Sequence, residues 1–251
     1  MDSHQPGNLG EESSNPHWFR TTHWSVVLLA GQADSPEATG ALEKLCRAYW
    51  LPLYCFVRRQ GYGPHDAQDL TQGFFVRLLR LDSFDEVNRE KGRFRTFLLA
   101  ALNHYLSDER DRARAEKRGG TKAILSLDET DAEQRYLQVP ASGATPEQTF
   151  DQRWALTVLE EALRRLRQDY VNAGRGELFE SLSQFLSNEA GIGEYDTLAP
   201  KLGMSPGAVG VAVHRLRQRY RELVRLELAQ TVASPEDLEQ EMNYLFAVLS
   251  A

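Results

Sequence analysis

Apolar residues recur at intervals of three and four positions along almost the whole chain. Trp154, Val158 and Leu166 form one such stripe, and Leu42 and Tyr49 belong to another. This is the spacing of one face of an α-helix, and the apolar/polar alternation of a half-buried strand is nearly absent. The sequence therefore predicts an all-α fold.

Proline and capping residues mark where several of these helices begin. Ser35 and Thr145 each precede a proline, a pattern typical of an N-cap followed by proline at the first helical position. Gln148 is placed to complete a capping box with Thr145. Pro52 lies inside the stripe that follows Pro36, and we expect it to end or kink that helix because it cannot donate a backbone hydrogen bond.

The helical periodicity stops between Gly119 and Thr145. This stretch contains a Gly-Gly pair, scattered acids, Pro140 and a run of small residues, a composition typical of a flexible linker between two helical domains. The predicted organisation is a disordered tail over residues 1–20, a first domain over 21–118, a linker over 119–145, a second domain over 146–233 and an acidic helix over 234–251.

The most informative local pattern lies between Tyr195 and Leu223. A short helix, a tight turn at Gly203 and a long helix capped by Ser205 have the spacing of a helix-turn-helix. We expect Val209 to begin a buried stripe continued by Val213, Leu216, Tyr220 and Leu223.

The opposite face of the long helix carries small side chains followed by basic ones, as entry into a DNA major groove requires. A helical hairpin with a solvated arginine face is the alternative. The small residues on this face are Gly207, Ala208, Val211 and Ala212, and they are followed by His214, Arg215, Arg217, Arg219 and Arg221.

Charge is distributed unevenly along the chain. The 251 residues include 29 Lys and Arg against 36 Asp and Glu, a formal net charge of −7, which excludes a uniformly basic nucleic-acid binder. Residues 205–225 nevertheless hold five arginines against one glutamate, and residues 89–118 also carry a net positive charge. Two segments therefore have the local charge that binding to DNA phosphates requires.

Three motifs in this order resemble the extracytoplasmic-function (ECF) sigma factors of bacterial RNA polymerase. The first is Asp-Ala-Gln-Asp-Leu-Thr-Gln-Gly-Phe-Phe over residues 66–75, and the second is Gly-Arg-Phe-Arg-Thr-Phe-Leu over residues 92–98. The third is the late helix-turn-helix. The resemblance covers most of the chain and implies a two-domain initiation factor, with region 2-like and region 4-like helical domains and no catalysis of its own.

The resemblance also implies roles for individual residues. In such proteins a region 2 helix binds the clamp helices of the polymerase largest subunit, which here gives Asp66, Asp69, Gln72 and Phe75 as contact residues. The next segment reads the promoter −10 element, which gives Arg93, Phe94, Arg95, Thr96, Asn103 and Tyr105, with Arg110 and Arg112 on the DNA backbone. The helix-turn-helix would read the −35 element, which gives as contact residues Ser205, Gly207, Ala208, Val211, His214, Arg215 and Arg217.

The implied partners are core RNA polymerase and promoter DNA, and an anti-sigma factor is left open. Two other function classes remain: a stand-alone helix-turn-helix regulator that binds duplex DNA as a dimer, and an all-α adaptor that meets only proteins. The sequence lacks the phosphate-binding, zinc-binding and nucleophile motifs of common enzymes, so we expect neither catalysis, nor a cofactor, nor a metal.

The compartment is predicted from the N-terminus, the apolar runs and the cysteines. The first residues lack the features of a secretory signal, and the longest apolar runs fall short of the roughly 20 residues that cross a bilayer. Cys46 and Cys55 are expected to be free thiols. We therefore expect a cytoplasmic protein without a membrane partner.

An amphipathic helix is predicted after Ser234. It aligns Leu238, Met242, Leu245 and Leu249 on one side and carries the acids Glu236, Asp237, Glu239 and Glu241. The helix either packs on its own protein in the ordinary way, or it docks on a basic helix and restrains DNA binding until polymerase displaces it.

Overall fold

The structure, a computed structural model, describes residues 36–80, 94–115, 129–137, 143–187, 193–232 and 234–250. Within these ranges the regular elements are helices and none is a strand, which confirms the all-α class. They are α1 Pro36–Arg59, α2 Pro64–Arg80, α3 Phe94–Ala115, α4 Glu129–Leu137, α5 Pro146–Asn172, α6 Gly176–Leu182 with a 3-10 turn at Ser183–Phe185, α7 Glu194–Leu202, α8 Pro206–Ala229 and α9 Pro235–Leu249. The predicted tail over residues 1–20 lies outside the described residues.

The helix starts marked by capping residues are confirmed at three places. Thr145 and Gln148 form the complete capping box before α5: the Thr145 hydroxyl accepts from the Gln148 amide at 3.2 Å, and the Thr145 amide donates to the Gln148 side chain at 2.9 Å. Ser205 caps α8 and Ser234 caps α9 through the hydroxyl alone, which accepts from the backbone amide three residues later, and each serine is followed by proline. These local interactions satisfy backbone donors that a helix start leaves unpaired.

Pro52 was expected to end or kink the first helix, and it does not end it, because α1 continues through it to Arg59. Leu53, Phe56 and Val57, just beyond the proline, are completely buried. Burial of these side chains against α2 and α5 offsets the backbone hydrogen bond that Pro52 removes.

The two predicted domains pack against each other around one continuous core. Helix α1 packs on α5, α5 packs on α8, and α9 packs on both α5 and α8. Tyr49 of α1 lies at this junction: its ring meets Phe94 of α3 edge-on at 5.1 Å, and its hydroxyl accepts a hydrogen bond of 3.2 Å from the Trp154 indole of α5. The first predicted domain is therefore in direct contact with the second, and we call the two the helical blocks.

The segment predicted to link the two domains contains helix α4, Glu129–Leu137, which the sequence pattern did not predict. Glu133 of α4 accepts two hydrogen bonds from Arg58, at 2.9 and 2.7 Å, and one of 2.6 Å from the Tyr54 hydroxyl. A helix of this length is marginal alone, and these contacts with α1 hold it in place. The charge of Arg58 and the hydrogen bonds lower the pKa of Glu133.

Two further findings concern the compartment predictions. Cys55 is a buried free thiol, and its burial raises its pKa to about 12; the Cys46 side chain lies outside the described set. None of the described helices is long and apolar enough to cross a membrane.

Candidate nucleic-acid interface

The turn between α7 and α8 has the geometry that the sequence predicted for a helix-turn-helix. Gly203 ends α7 in the left-handed conformation, with φ of 62°, and the Met204 amide donates to the Ala199 carbonyl at 3.0 Å. The Ser205 hydroxyl then accepts a hydrogen bond of 3.2 Å from the Ala208 amide, which starts α8. A glycine at this turn suits the backbone because residues with a Cβ rarely adopt positive φ.

The inner face of α8 is buried as predicted. Val209, Val213, Leu216 and Leu223 are all less than 4% exposed. Tyr220 is half-buried, and its hydroxyl donates to the Leu159 carbonyl of α5 at 3.1 Å. This packing fixes the rotation of α8 about its axis, so its other face points to solvent.

The outer face of α8 presents most of the candidate DNA-contacting residues. Ser205, Gly207, His214 and Arg215 are exposed, Ala208 is half-exposed, and Val211 is 51% exposed although it is apolar. Arg217 differs from them: it is half-buried and donates from Nε to the Phe185 carbonyl at 2.8 Å.

The positive charge of α8 is partly neutralised along its length. Arg219 pairs with Asp169 of α5 at 2.9 Å, and Arg225 pairs with Glu239 of α9. Arg215 and Arg221 are exposed and form no ion pair with the described part of the chain. Arg215 and Arg221 are therefore the arginines of α8 most available to a ligand.

Helix α3 presents a second polar stripe. Thr96, Asn103 and Arg110 are exposed and are spaced by seven residues, so they lie on one face of the helix. Arg110 donates to the Leu106 carbonyl at 3.2 Å and to Gln60 at 3.1 Å, while Arg112 pairs with Glu109 at 2.7 Å.

The start of α3 does not have the exposure expected of a DNA-reading segment. Phe94 is completely buried and Arg95 is 8% exposed, so neither side chain is at the surface in this conformation, and their expected contacts with DNA stay a prediction. The Phe94 ring packs on Tyr49, and the Arg95 guanidinium binds Asp151 of α5 and Glu241 of α9, partners that the sequence pattern did not reveal. Arg93 lies outside the described residues.

Tyr105 is also buried, at 9% exposure, and its expected contact with DNA stays a prediction. Its ring packs on Phe74 of α2 with a centroid distance of 5.9 Å. Its hydroxyl occupies the space beside Gly73, where an added Cβ would lie 2.4 Å from the hydroxyl oxygen. Gly73 thus allows α2 and α3 to approach closely.

The candidate polymerase-contacting residues of α2 divide into two groups. Asp66 and Asp69 are exposed, whereas Gln72 is 4% exposed and Phe75 is 2% exposed, so the polymerase contacts expected of these two stay a prediction. The buried face of α2 also includes Thr71. The Thr71 hydroxyl donates to the Ala67 carbonyl at 2.7 Å, which allows a polar residue to occupy a core position.

Sequence reasoning missed the residues that surround Arg95. Its guanidinium bonds to Glu241 of α9 through two nitrogens, at 3.2 and 3.1 Å, and to Asp151 of α5 at 2.7 Å. Burial alone would lower the pKa of Arg95, but the hydrogen bonds and charges of the two carboxylates raise it overall. One signal was available, because Glu241 occupies the same helical stripe as Leu238 and Leu245, where an acid needs a buried partner.

Comparison with known proteins gives the following similarities. A family profile described as ECF sigma factor matches residues 58–225, from the end of α1 into α8. Over 192 residues the chain is 26% identical to the ECF RNA polymerase sigma factor SigE of Mycolicibacterium smegmatis, an alignment that covers 76% of this chain and 65% of that protein. The chain thus spans just under two thirds of that relative's length. No solved structure matches the chain.

Proposed function

Because the chain belongs to the ECF sigma factor family, we propose that it binds core RNA polymerase and directs it to promoters to initiate transcription, without catalysis of its own. The observation that carries the proposal is the extent of the family match, which includes α2, α3 and the helix-turn-helix. The partners would be core polymerase and promoter DNA in the cytoplasm, with an anti-sigma factor as an open further partner.

We assign recognition of the −35 element to the outer face of α8. Gly207 and Ala208 leave room for close approach to base edges, Val211 offers an apolar surface to a thymine methyl group, and Arg215 supplies an exposed cation. His214 and the Ser205 end of the helix would contact the DNA backbone, as helix N-termini do.

We assign the −10 element to α3 and the segment before it. Thr96, Asn103 and Arg110 form an exposed face that a DNA strand can follow. Its polar side chains suit hydrogen bonds to bases, and Arg110 and Arg112 suit phosphates.

The division of labour follows the predicted boundaries, with residues 21–118 as one unit and residues 146–233 as the other, joined through 119–145. Each unit reads a short element and binds weakly alone. Once one unit is bound, the connection between them raises the effective concentration of the other at its own element. Polymerase supports this arrangement by holding both units.

The exposed acids of α2 provide the test of polymerase binding. The complex is measured by titrating labelled full-length protein with purified core polymerase. We expect a one-to-one complex, and we expect Asp66→Lys with Asp69→Lys to weaken it by about tenfold, which is 1.4 kcal/mol. Glu147→Lys is the matched control, because Glu147 is also an exposed acid in the first turn of a helix. Absence of a complex with the unaltered chain would refute the proposed function.

A further inference from the structure

Arg95 is enclosed by groups from two helices that follow it far along the chain. Glu241 of α9 is 1% exposed and binds the guanidinium through both carboxylate oxygens, while Asp151 of α5 takes a third nitrogen. The Arg95 guanidinium carbon also lies 4.8 Å from the ring centre of Trp154 and 4.2 Å from that of Tyr244. The cation is therefore held by two anions and two aromatic faces.

The backbone at the start of α3 is also bound by the C-terminal part of the chain. The Phe94 amide, at the first position of the helix, donates to the Thr231 carbonyl at 3.0 Å. The Tyr244 hydroxyl donates to Asp151 at 2.6 Å, which ties α9 to α5 beside Arg95. We call Thr231 together with α9 the C-terminal latch.

The carboxylates that bind Arg95 resemble DNA phosphates in charge and in the oxygens that they offer. A guanidinium binds carboxylate and phosphate oxygens with the same two-pronged geometry. A helix N-terminus with its free amides likewise attracts phosphate. The C-terminal latch thus occupies both groups at the start of α3 that are suited to a nucleic-acid backbone.

A gain in folding stability does not by itself explain why Arg95 is buried with two carboxylates. Buried ion pairs gain little over apolar residues of similar size, because both charges must leave water. The apolar contact of α9 is incomplete: Leu238 and Leu245 are fully buried and Met242, Tyr244 and Val248 are partly buried against the core, whereas Phe246 is 58% and Leu249 is 42% exposed. The helix lies beyond the segment that matches the family, residues 58–225.

We propose that the C-terminal latch holds the start of α3 closed in the free protein and competes with nucleic acid for it, so that its release frees the Phe94 amide and the two guanidinium nitrogens of Arg95 that bind Glu241. This inference rests on the proposed function for its biological role. Binding to core polymerase and DNA favours the open state by contacts available only there. Free protein would then have little affinity for DNA, and the assembled complex would recover it.

The first test compares Glu241→Gln with Glu239→Gln in the full-length chain, using a labelled single-stranded oligothymidine as the probe. Both changes remove one negative charge from α9, but Glu239 pairs with the exposed Arg225 and lies away from Arg95. We expect Glu241→Gln to bind the probe at least about fivefold more tightly than Glu239→Gln. We also expect its slope of log affinity against log salt to steepen by about 0.7, the value for one added phosphate contact on a single strand.

Circular dichroism establishes that each variant is folded. If Glu241→Gln does not fold, Tyr244→Phe takes its place, because it removes only the hydroxyl that bonds Asp151; we expect a smaller shift in the same direction. A folded variant with the affinity and salt slope of the control would overturn the proposal, since an ion pair that only stabilises the fold changes neither.

The second test follows hydrogen exchange in α9 of the unaltered protein. We expect its amides to be protected in the free chain and to lose protection when core polymerase and promoter DNA are added. Retained protection in the complete complex would overturn the latch while leaving the sigma-factor assignment intact. Absence of promoter-dependent transcription would instead count against that assignment, whatever the exchange of α9.

Discussion

At the residue scale, close contacts explain side chains whose exposure the sequence pattern did not predict. Gly73 follows Gln72 on a helix whose surface was expected to face polymerase, yet the Tyr105 hydroxyl fills the space above it. Burial raises the pKa of Tyr105 to about 12, so this hydroxyl remains protonated at neutral pH. The pair fixes how closely α2 and α3 approach.

Gly73→Ala tests this contact. The added methyl group would lie 2.4 Å from the Tyr105 hydroxyl oxygen but 3.5 Å from the ring carbon that bears it. We therefore expect Gly73→Ala to lower the free energy of unfolding by about 1–3 kcal/mol, measured by urea denaturation. Tyr105→Phe should recover most of that loss in the double variant, and additive effects of the two changes would show that the contact is not responsible.

Arg215 provides a residue-scale test of the proposed DNA-reading face. It is exposed and without an ion partner among the described residues, so a contact with a DNA phosphate would be its main interaction. In a complex with core polymerase on promoter DNA, we expect Arg215→Ala to reduce the slope of log affinity against log salt by about 0.9. Arg164→Ala, an exposed arginine on α5 paired with Glu161, is the control, and equal slopes would contradict the assignment.

At the scale of elements, α4 is held by charge rather than by its own helix propensity. Glu133 joins it to Arg58 and Tyr54 of α1, and Arg58 also lies 4.8 Å from the ring centre of Tyr136. The side chains of Arg58 and Glu133 are only 16% and 24% exposed, so solvent screens the pair less than it screens a surface pair.

The lowered pKa of Glu133 gives this contact a pH dependence. Because the folded pKa lies below the unfolded one, the stabilisation is complete above the ordinary glutamate pKa of about 4.3 and is lost as the pH falls below it. At pH 7 we expect Glu133→Gln to lower the free energy of unfolding by about 1–2 kcal/mol.

The difference between Glu133→Gln and the unaltered chain should shrink when the same urea denaturation is repeated near pH 3. Glu161→Gln serves as control, because it breaks an exposed pair with Arg164 and should cost about 0.5 kcal/mol or less. A cost for Glu133→Gln that does not change between the two pH values would refute this account of α4.

Signals from neighbouring residues in the sequence predicted where several helices begin. The features that these signals missed depend on tertiary contacts. The caps at Thr145, Ser205 and Ser234 depend on neighbours within three residues, so they were visible in the sequence. The continuation of α1 through Pro52 and the existence of α4 depend on partners far along the chain. Spacing alone does not reveal such partners.

The candidate site likewise has one part that the sequence predicted and one part that it did not. The inner face of α8 follows from its apolar spacing, and the exposure of its outer face follows from that. The burial of Arg95 depends on Asp151 and Glu241, which lie 56 and 146 positions away in the sequence. A pattern of arginines and aromatics does not distinguish a DNA contact from a buried ion pair.

At the scale of the whole molecule, the two helical blocks share one core while their candidate DNA-reading faces lie on separate helices. Helix α5 contacts α1, α8 and α9, and the Trp154 indole donates a hydrogen bond to the Tyr49 hydroxyl of α1. This packing describes one state of the protein. Reading two promoter elements together requires polymerase to hold both faces at the right separation, which the proposed function assigns to the complex and not to the free chain.

Run-off transcription with purified core polymerase tests the central claim most directly. Genomic DNA fragments are transcribed with and without the full-length chain, and the transcript starts are mapped. We predict new starts that depend on the chain, share a common upstream sequence and weaken with Arg215→Ala but not with Arg164→Ala. An unchanged set of starts in the presence of folded protein and active core polymerase would contradict the account.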